Sequence, residues 1–172
     1  MTHPHPDVTR LTLNCSVITV SDTRTPKTDK SGQLIQQLLQ DAAHRVQNYV
    51  IVKDEPDEMT QLVREFCQHC DVDVIILTGG TGIAPRDTTY DSINHLLEKT
   101  LPGFGELFRL LSYQEIGSRA IASRAVAGVF QGKLIFSLPG SSNAVRLAMN
   151  ALILPELSHL VSQLNSSAAA EK

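Results

Sequence analysis

The sequence predicts an α/β fold in which a mostly parallel sheet is covered by helices on both faces. Short apolar runs alternate with amphipathic helical patterns along the chain, as in consecutive βαβ units. One run, 74–77, is largely β-branched and stops at three glycines within four positions, which is where open α/β sheets place ligands. The length of 172 residues suits one domain with its own core.

The first half of the chain predicts three strands and two helices. A strand over 11–20 leads into a polar loop, after which Ser31 is the expected N-cap of a helix. A second strand over 46–53 precedes a helix whose apolar positions recur at helical spacing. Those positions are Met59, Leu62, Val63, Phe66, Cys67 and Cys70. The third strand covers 72–77.

The second half continues the alternation with one change of direction. Thr88 or Thr89 is expected to cap a helix, and the aromatic-rich stretch 101–116 is either core or a subunit contact. Two short strands within 125–138 flank a turn and predict a hairpin, so the sheet would be mixed. The last helix is predicted to be interrupted at Pro155, because proline lacks a backbone donor and clashes one turn back, and then to continue through Leu157, Leu160, Val161 and Leu164.

Composition limits the classes of partner. Residues 11–164 are predicted to form one domain between flexible tails at 1–10 and 165–172. A net charge of −3 without a block of lysine or arginine argues against a nucleic-acid surface. The chain has no apolar run of about 18 residues, no signal-peptide pattern and only three cysteines. We therefore expect a cytoplasmic protein without nucleic-acid or membrane partners.

The glycine loop after the third strand is the strongest chemical signal. Without a Cβ, glycine lets successive N–H groups turn toward one point, and such a concavity suits a phosphate oxygen. Neither a Walker A motif nor the third glycine of a dinucleotide fingerprint follows. The loop predicts binding of a phosphorylated small molecule, with Arg86 as a forked cation; a tight turn without ligand would give the same pattern. The loop residues are Thr78, Gly79, Gly80, Thr81 and Gly82.

Two aspartates follow strands that are expected to be neighbours in the sheet. Asp54 comes after the second strand and Asp87 after the third. Carboxylates at neighbouring strand ends can converge on one Mg²⁺, which takes one or two carboxylates together with substrate phosphate. Ordinary helix capping is the competing interpretation, and Asp57 and Thr88 could supply the caps instead.

Two further polar loops are placed at the same predicted edge of the sheet. Ser21 and Asp22 follow the first strand, and Pro139, Gly140 and Ser141 follow the last. Each loop alone is a common turn. Together with the glycine loop they predict a composite pocket. No serine-nucleophile motif or histidine ligand spacing accompanies it, and an ionised substrate phosphate would attack without a general base.

The pair Cys67 and Cys70 matches Cys-x-x-Cys but lies near the C-terminal end of a predicted helix. A redox pair needs a helix N-terminus to lower its thiol pKa, and a structural zinc site needs a second ligand pair. We therefore predict that both cysteines are buried core residues.

Taken in order, these motifs resemble one family. Ser21-Asp22-Thr23-Arg24, Asp54-Glu55, the glycine loop with Arg86-Asp87, Pro102-Gly103-Phe104-Gly105-Glu106 and Leu138-Pro139-Gly140-Ser141 occur in the chain order of the MoaB/Mog family of molybdenum cofactor biosynthesis proteins. This family is related to the G domains of gephyrin and plant Cnx proteins. The likeness extends over residues 12–162, and segments 108–117 and 123–125 are closer to the MoaB branch.

The resemblance implies a three-layer α/β/α molybdopterin-binding fold that assembles as a homotrimer or homohexamer. It implies Mg²⁺-dependent transfer of AMP from ATP to the terminal phosphate of molybdopterin, with release of pyrophosphate. The alternative is a molybdopterin-binding carrier without turnover. Molybdate insertion fits less well, because the related chains that perform it are longer and multidomain.

The resemblance also implies roles for the motif residues. Asp54 and Asp87 would hold the metal and act in the transfer. Residues 79–82 with Arg86, and 139–141, would hold the nucleotide and pterin phosphates, while Ser21 and Asp22 would line the pterin side.

Overall fold

The structure is a computed structural model that describes residues 11–169, with side chains described to residue 166. Its strands are β1 (Asn14–Val20), β2 (Arg45–Val52), β3 (Val74–Thr78), β4 (Lys99–Thr100), β5 (Val126–Phe130) and β6 (Lys133–Leu138). Its helices are α1 (Lys30–Asp41), α2 (Pro56–Gln68), α3 (Thr89–Leu96), α4 (Pro102–Ile116), a 3₁₀ turn (Gly117–Ala122), α5 (Ser142–Ala148), a π turn (Met149–Ile153) and α6 (Leu154–Ala169).

The six strands form one mixed sheet in the order β2-β1-β3-β6-β5-β4. Strands β2, β1, β3 and β6 run parallel, whereas β5 is antiparallel to both of its neighbours. The predicted hairpin and the mixed sheet are therefore confirmed. The carboxyl ends of the four parallel strands meet at one edge of the sheet, which we call the site edge.

Helices cover both faces of the sheet, so the predicted fold class is confirmed. On one face, Ile35 of α1, Phe108 of α4 and Val145 of α5 pack into one core cluster. On the other, Met59 of α2 and Ile93 of α3 belong to a second cluster. Because both faces are buried, β3 has no exposed residue, which explains its unbroken apolar run.

The N-cap of α1 differs from the prediction. Asp29, not Ser31, caps the helix, and its Oδ1 accepts a hydrogen bond from the Gly32 N–H at 3.0 Å. Ser31 lies inside the first turn, where its hydroxyl donates to the Gly140 carbonyl at 2.7 Å. A carboxylate is favoured at this position because it also interacts with the positive end of the helix dipole.

The prediction for the two cysteines is half correct. Cys67 is buried, and burial raises the pKa of its thiol to about 11. Cys70 is exposed, so its assignment to the core was wrong. The physical reason is that α2 ends at Gln68 and the extended backbone of His69 carries the chain off the helical stripe.

The α-helical pattern is interrupted directly before Pro155 and then continues, as predicted. The helix widens into the π turn just before the proline, where the Leu154 N–H donates to the Met149 carbonyl. This wider turn relieves the clash expected one turn before a proline, and α6 continues to Ala169. Residues 165–169, expected to lie in a tail, are therefore helical. The predicted tail residues 1–10 and 170–172 lie outside the described residues.

By length and composition, one helical stretch could span a membrane: Ser142–Ser166, with 25 residues and a mean hydropathy of 1.2 over its most apolar window. Its buried side chains pack against the sheet in the first core cluster. They are Val145, Ala148, Met149, Ile153, Leu157 and Val161. We therefore assign this stretch to the core of the α/β fold.

Helix α4 confirms the core role considered for its aromatic-rich sequence, and the subunit contact stays a prediction. Phe108 is fully buried, and Phe104 packs edge-on against Phe136 with ring centroids 5.2 Å apart. Four other large apolar side chains of α4 are at least half exposed. They are Leu107, Leu110, Tyr113 and Ile116, which we call the α4 stripe. One side of the helix is thus core, and the stripe is available for a partner.

Candidate active site

Two adjoining cavities lie along the site edge. The larger, of about 450 Å³, is bounded by the glycine loop, the 139–141 loop, the end of α4 and the 3₁₀ turn. The smaller, of about 310 Å³, is bounded by the 20–24 loop, the glycine loop, Asp54 and Arg86. Both include Gly80, Asp87 and Gly140, so these residues form the boundary between two connected compartments. The predicted composite pocket is present.

The glycine loop requires glycine for conformational and steric reasons. Gly79 and Gly80 have φ values of +109° and +62°, which other residues rarely adopt. A Cβ on Gly79 would overlap the Val20 carbonyl, and one on Gly80 would overlap the Asp54 carboxylate. Within residues 11–169, the N–H groups of Gly80, Thr81 and Gly82 have no hydrogen-bond partner. They are therefore free to bind an anion.

The loops after β3 and β6 are tied together by their main chains. The Gly79 N–H donates to the Leu138 carbonyl at 3.0 Å, and the Thr78 hydroxyl donates to the Pro139 carbonyl at 3.1 Å. A Cβ on Gly140 would lie 3.2 Å from the Gly79 Cα. Thr78 is fully buried, so its side chain joins these two loops and does not line either cavity.

Asp54 is buried and lies against the start of α3. Its Oδ1 accepts hydrogen bonds from the Thr88 N–H at 3.2 Å and the Thr88 hydroxyl at 2.6 Å. The Thr89 hydroxyl is 3.4 Å from the same oxygen. Thr88 is the N-cap residue of α3, but its hydroxyl binds Asp54 and makes no capping bond of its own. The Oδ2 atom of Asp54 accepts no hydrogen bond within the described chain.

Asp87 lies across the smaller cavity from the β1 loop and is half-buried. Its Oδ2 accepts a hydrogen bond from the Ala84 N–H at 3.3 Å and lies next to Gly82. Its Oδ1 has no donor among residues 11–169. The structure thus brings Asp54 and Asp87 to the same cavity, and each keeps one carboxylate oxygen without a donor.

Arg86 closes the outer side of the smaller cavity. Its Nε and Nη2 donate to the two carboxylate oxygens of Asp22 at 2.9 and 2.8 Å, and its Nη1 donates to Glu55 at 2.9 Å. The hydrogen bonds from Arg86 lower the pKa of Asp22. Arg86 and Asp22 therefore join the loops after three strands, and the ligand contacts predicted for them remain a prediction. Ser21 accepts the Thr23 and Arg24 N–H groups and stabilises the same turn.

A buried cluster around Asp29 was missed by the sequence analysis. Oδ2 of Asp29 accepts hydrogen bonds from the Thr19 hydroxyl at 2.5 Å and the Tyr49 hydroxyl at 2.7 Å. Oδ1 pairs with Arg24 at 3.1 Å, and Arg24 also donates to the Gly140 carbonyl at 2.9 Å. Burial alone would raise the pKa of Asp29, but these donors outweigh it and lower that pKa. The cluster positions the 139–141 loop.

Arg124 was also missed as a site residue. Its Nε and Nη2 donate to the carbonyls of Thr81 and Gly82 at 2.9 and 2.6 Å, and its Nη1 pairs with Asp91. The guanidinium lies 4.6 Å from the centre of the Tyr90 ring. By holding these carbonyls, Arg124 fixes the peptide planes that carry the N–H groups of Gly82 and Ile83. In the sequence, segment 123–125 indicated only a closer likeness to the MoaB branch.

The far wall of the larger cavity comes from a segment that carried no site prediction. Ser112, Glu115 and Ile116 of α4, and Arg119 of the 3₁₀ turn, line it. Gly117 ends α4 with a φ of +62° and turns the chain back toward the glycine loop. Sequence spacing does not predict that this segment lies beside the glycine loop, because its position depends on where α4 ends relative to the sheet.

Comparison with known proteins agrees with this geometry. A family model described as "Probable molybdopterin binding domain" matches residues 16–159. Molybdenum cofactor biosynthesis protein B of Bacillus subtilis is 55% identical over 160 residues, covering 92% of each chain. The chain belongs to the MoaB/Mog family. Protein B of Halalkalibacterium halodurans is 53% identical over 154 residues, covering 89% of this chain and 91% of that protein.

Solved structures of family members have the same architecture. A crystal structure of molybdenum cofactor biosynthesis protein B matches with a TM-score of 0.89 at 51% identity, covering 92% of this chain and 99% of the other. The tungsten cofactor synthesizing protein MoaB of Pyrococcus furiosus matches with a TM-score of 0.80 at 38% identity, covering 89% and 97%. This MoaB/Mog chain therefore has the family fold over nearly its whole length and takes part in molybdenum cofactor biosynthesis.

Proposed function

We propose that this MoaB/Mog protein transfers AMP from ATP to the terminal phosphate of molybdopterin and releases pyrophosphate. The observation that supports the proposal is the boundary shared by the two cavities. Gly80, Thr81 and Gly82, whose N–H groups are unpaired among the described residues, line the larger cavity, and Asp54 and Asp87 are among the residues that line the smaller one. Two anionic ligands in adjoining compartments would meet at Gly80 and Asp87.

The transfer requires positioning more than acid–base chemistry. A terminal phosphate oxygen of molybdopterin forms a bond to the α-phosphorus of ATP, and the bond from that phosphorus to the bridging oxygen breaks. The electron pair leaves with pyrophosphate, so atoms and charge balance. The attacking phosphate is already ionised, and no residue has to remove a proton from it. N–H groups at 80–82 would orient the phosphates.

Asp54 and Asp87 are the residues that would hold Mg²⁺. Each keeps one carboxylate oxygen without a donor, and Mg²⁺ takes one or two protein carboxylates, with phosphate and water completing its ligands. When bound, the cation would neutralise charge that develops on the leaving pyrophosphate. The remaining Asp54 oxygen is fixed by Thr88, so the carboxylate is already oriented.

The direct test is pyrophosphate release with molybdopterin, ATP and Mg²⁺. We expect Asp87→Asn to lower the rate by about a hundredfold, because losing one key electrostatic contact costs about 3 kcal/mol. Asp57→Asn is the matched control, since Asp57 is exposed in the first turn of α2 and should leave the rate unchanged. A wild-type rate for Asp87→Asn would remove Asp87 from the mechanism.

A non-catalytic molybdopterin carrier is the second candidate, and one observation favours it. Arg86, the cation predicted to bind phosphate, is already paired with Asp22 and Glu55, which leaves it little charge to offer to ATP. A carrier would use the same cavities without productive ATP binding. Calorimetry separates the two functions: molybdopterin binding without any heat from Mg·ATP, and without product, would establish the carrier.

We further propose that the protein acts in the cytoplasm as a homotrimer or homohexamer that uses the α4 stripe. Exposed aromatic and aliphatic side chains of this kind anchor protein interfaces. Leu110→Glu should lower the molar mass measured by light scattering, whereas Glu106→Gln, a polar change on the same helix, should not. An unchanged mass for Leu110→Glu would exclude the stripe from the interface.

A further inference from the structure

Among the described residues that line the larger cavity, Arg119 carries the single cationic side chain. Its guanidinium is exposed and forms no ion pair or hydrogen bond with any described residue. The cavity is also bounded by the unpaired N–H groups of 80–82. A free guanidinium and free amides in one cavity are complementary to an anion with several oxygens.

The other arginines around the site are already neutralised. Arg24 pairs with Asp29, Arg86 with Asp22 and Glu55, and Arg124 with Asp91. Each also holds backbone or a neighbouring loop in place, so none offers a full uncompensated charge. A polyphosphate entering the site would therefore find its side-chain counter-charge at Arg119.

The backbone fixes where Arg119 stands. Gly117 reverses the chain at the end of α4, and Ala120, only 4% exposed, anchors the 3₁₀ turn in the protein. Arg119 is thus carried on a short, anchored turn while its long side chain remains adjustable. Such an arrangement allows the guanidinium to follow a phosphate group during binding and release.

We propose that Arg119 binds the polyphosphate of ATP in the larger cavity; this assignment rests on the proposed adenylyl transfer. The guanidinium would form bidentate hydrogen bonds to phosphate oxygens on one side while the N–H groups of 80–82 bind on the other. Arg119 would then lower the dissociation constant of ATP. It would take no part in binding the pterin ring.

The test compares Arg119→Ala, Arg119→Lys and Arg45→Ala by calorimetry with Mg·ATP at low and high salt. Arg45 is exposed at the start of β2, at the opposite edge of the sheet, so its loss matches the change of net charge. We expect Arg119→Ala to weaken ATP binding about tenfold, as loss of a charged hydrogen bond implies. Arg119→Lys should recover part of the affinity, and Arg45→Ala should bind like the wild type.

Salt provides a readout that a purely structural role would not move. Wild-type affinity for ATP should fall as salt rises, and this dependence should be weaker in Arg119→Ala. Equal affinity and equal salt dependence of Arg119→Ala and wild type would overturn the assignment, as would an equal loss in Arg45→Ala. Melting temperatures of all variants should match, since Arg119 has no internal partner to lose.

Failure of the assignment and failure of the proposed function give different results. If wild type releases pyrophosphate and Arg119→Ala binds ATP equally well, the assignment is wrong and the function stands. If Arg119→Ala loses ATP affinity but wild type never forms product with molybdopterin, the function is wrong and the assignment stands. No ATP binding by wild type contradicts both.

Discussion

Two arginine–carboxylate clusters hold the loops of this site, and they differ in burial. In the Asp29 cluster the carboxylate is fully buried and accepts from Thr19, Tyr49, Gly32 and Arg24. In the Arg86 cluster, Arg86, Asp22 and Glu55 have exposed side-chain fractions of 51%, 39% and 52%. The first joins the core to the 139–141 loop, and the second joins three loops in solvent.

This difference in burial means that the Asp29 cluster stabilises the fold, whereas the contacts of the Arg86 cluster can be rearranged at little cost. A buried carboxylate with four donors is costly to disturb, because each donor left behind is also buried or fixed. An exposed network is screened by water and salt and contributes little free energy. We infer that the floor of the larger cavity is fixed by folding, whereas the outer wall of the smaller cavity can open and close.

Asp29→Ala is the strongest test of the contrast between the buried Asp29 cluster and the exposed Arg86 cluster. The variant should lose about 3 kcal/mol in the free energy of unfolding, because breaking a buried ion pair leaves its partners uncompensated. Urea denaturation measures the change. Asp41→Ala, an exposed aspartate at the end of the same helix, should change the free energy by less than about 0.5 kcal/mol. Similar losses for both variants would contradict a special role for burial.

Acid should remove the contribution of Asp29. Its pKa is lower in the folded protein than in the unfolded chain, so the stabilisation is complete above the unfolded value of about 3.9 and is lost as pH falls through the folded value. The stability difference between wild type and Asp29→Asn should therefore be constant from pH 7 to 5 and shrink below pH 4. A difference that stays constant down to pH 3 would disagree with the sign of this shift.

Tyr49→Phe removes one of the four donors and should have an intermediate effect. A hydrogen bond to a charged acceptor contributes about 1.5 kcal/mol, and the ring packing is preserved. Thermal unfolding should show a smaller loss than Asp29→Ala. In the Asp29→Asn background the effect of Tyr49→Phe should decrease, since the acceptor is then neutral. Full additivity of the two changes would mean that the pair is not coupled.

Arg86→Ala should have the smallest effect on stability, because all three members of its cluster are exposed. Its melting temperature should be close to that of wild type, and the remaining difference should vanish at high salt. Hydrogen exchange of the amides at 20–24 and at Asp54 and Glu55 should become faster, since Arg86 joins these loops. If these amides exchange as slowly in Arg86→Ala as in the wild type, contacts other than those of Arg86 hold the two loops.

Local pattern was enough to predict most of the fold. The apolar runs of β1, β3 and β6 predicted strands to within a few residues, because strands covered on both faces must be apolar, and the run of β2 predicted a partly exposed edge strand equally well. The errors arose where local pattern competes with tertiary context. Cys70 continued a helical spacing beyond the end of α2, and Asp29 supplies the N-cap that was predicted at Ser31.

For the candidate site, motifs at strand ends were predictable and their supporting partners were not. Asp54 and the glycine loop stand directly after strands, and Asp87 follows the glycine loop, so chain order alone places them at one edge. Arg24 reaches the Gly140 carbonyl 116 positions away, and Arg124 reaches Thr81 across 43 positions. Contacts between residues so far apart in the chain depend on the assembled fold, so local spacing in the sequence cannot predict them.

The close approach of Gly79, Gly140 and the Val20 carbonyl has a consequence for how this protein can diversify. The base of its pocket is peptide backbone with no room for a methyl group, so that surface cannot be retuned by exchanging side chains. Altered ligand preference, in nature or in the laboratory, has to arise from the walls, in the turn after β1 and in the 112–123 segment. Mutational libraries aimed at new substrates should leave the base untouched and vary those walls.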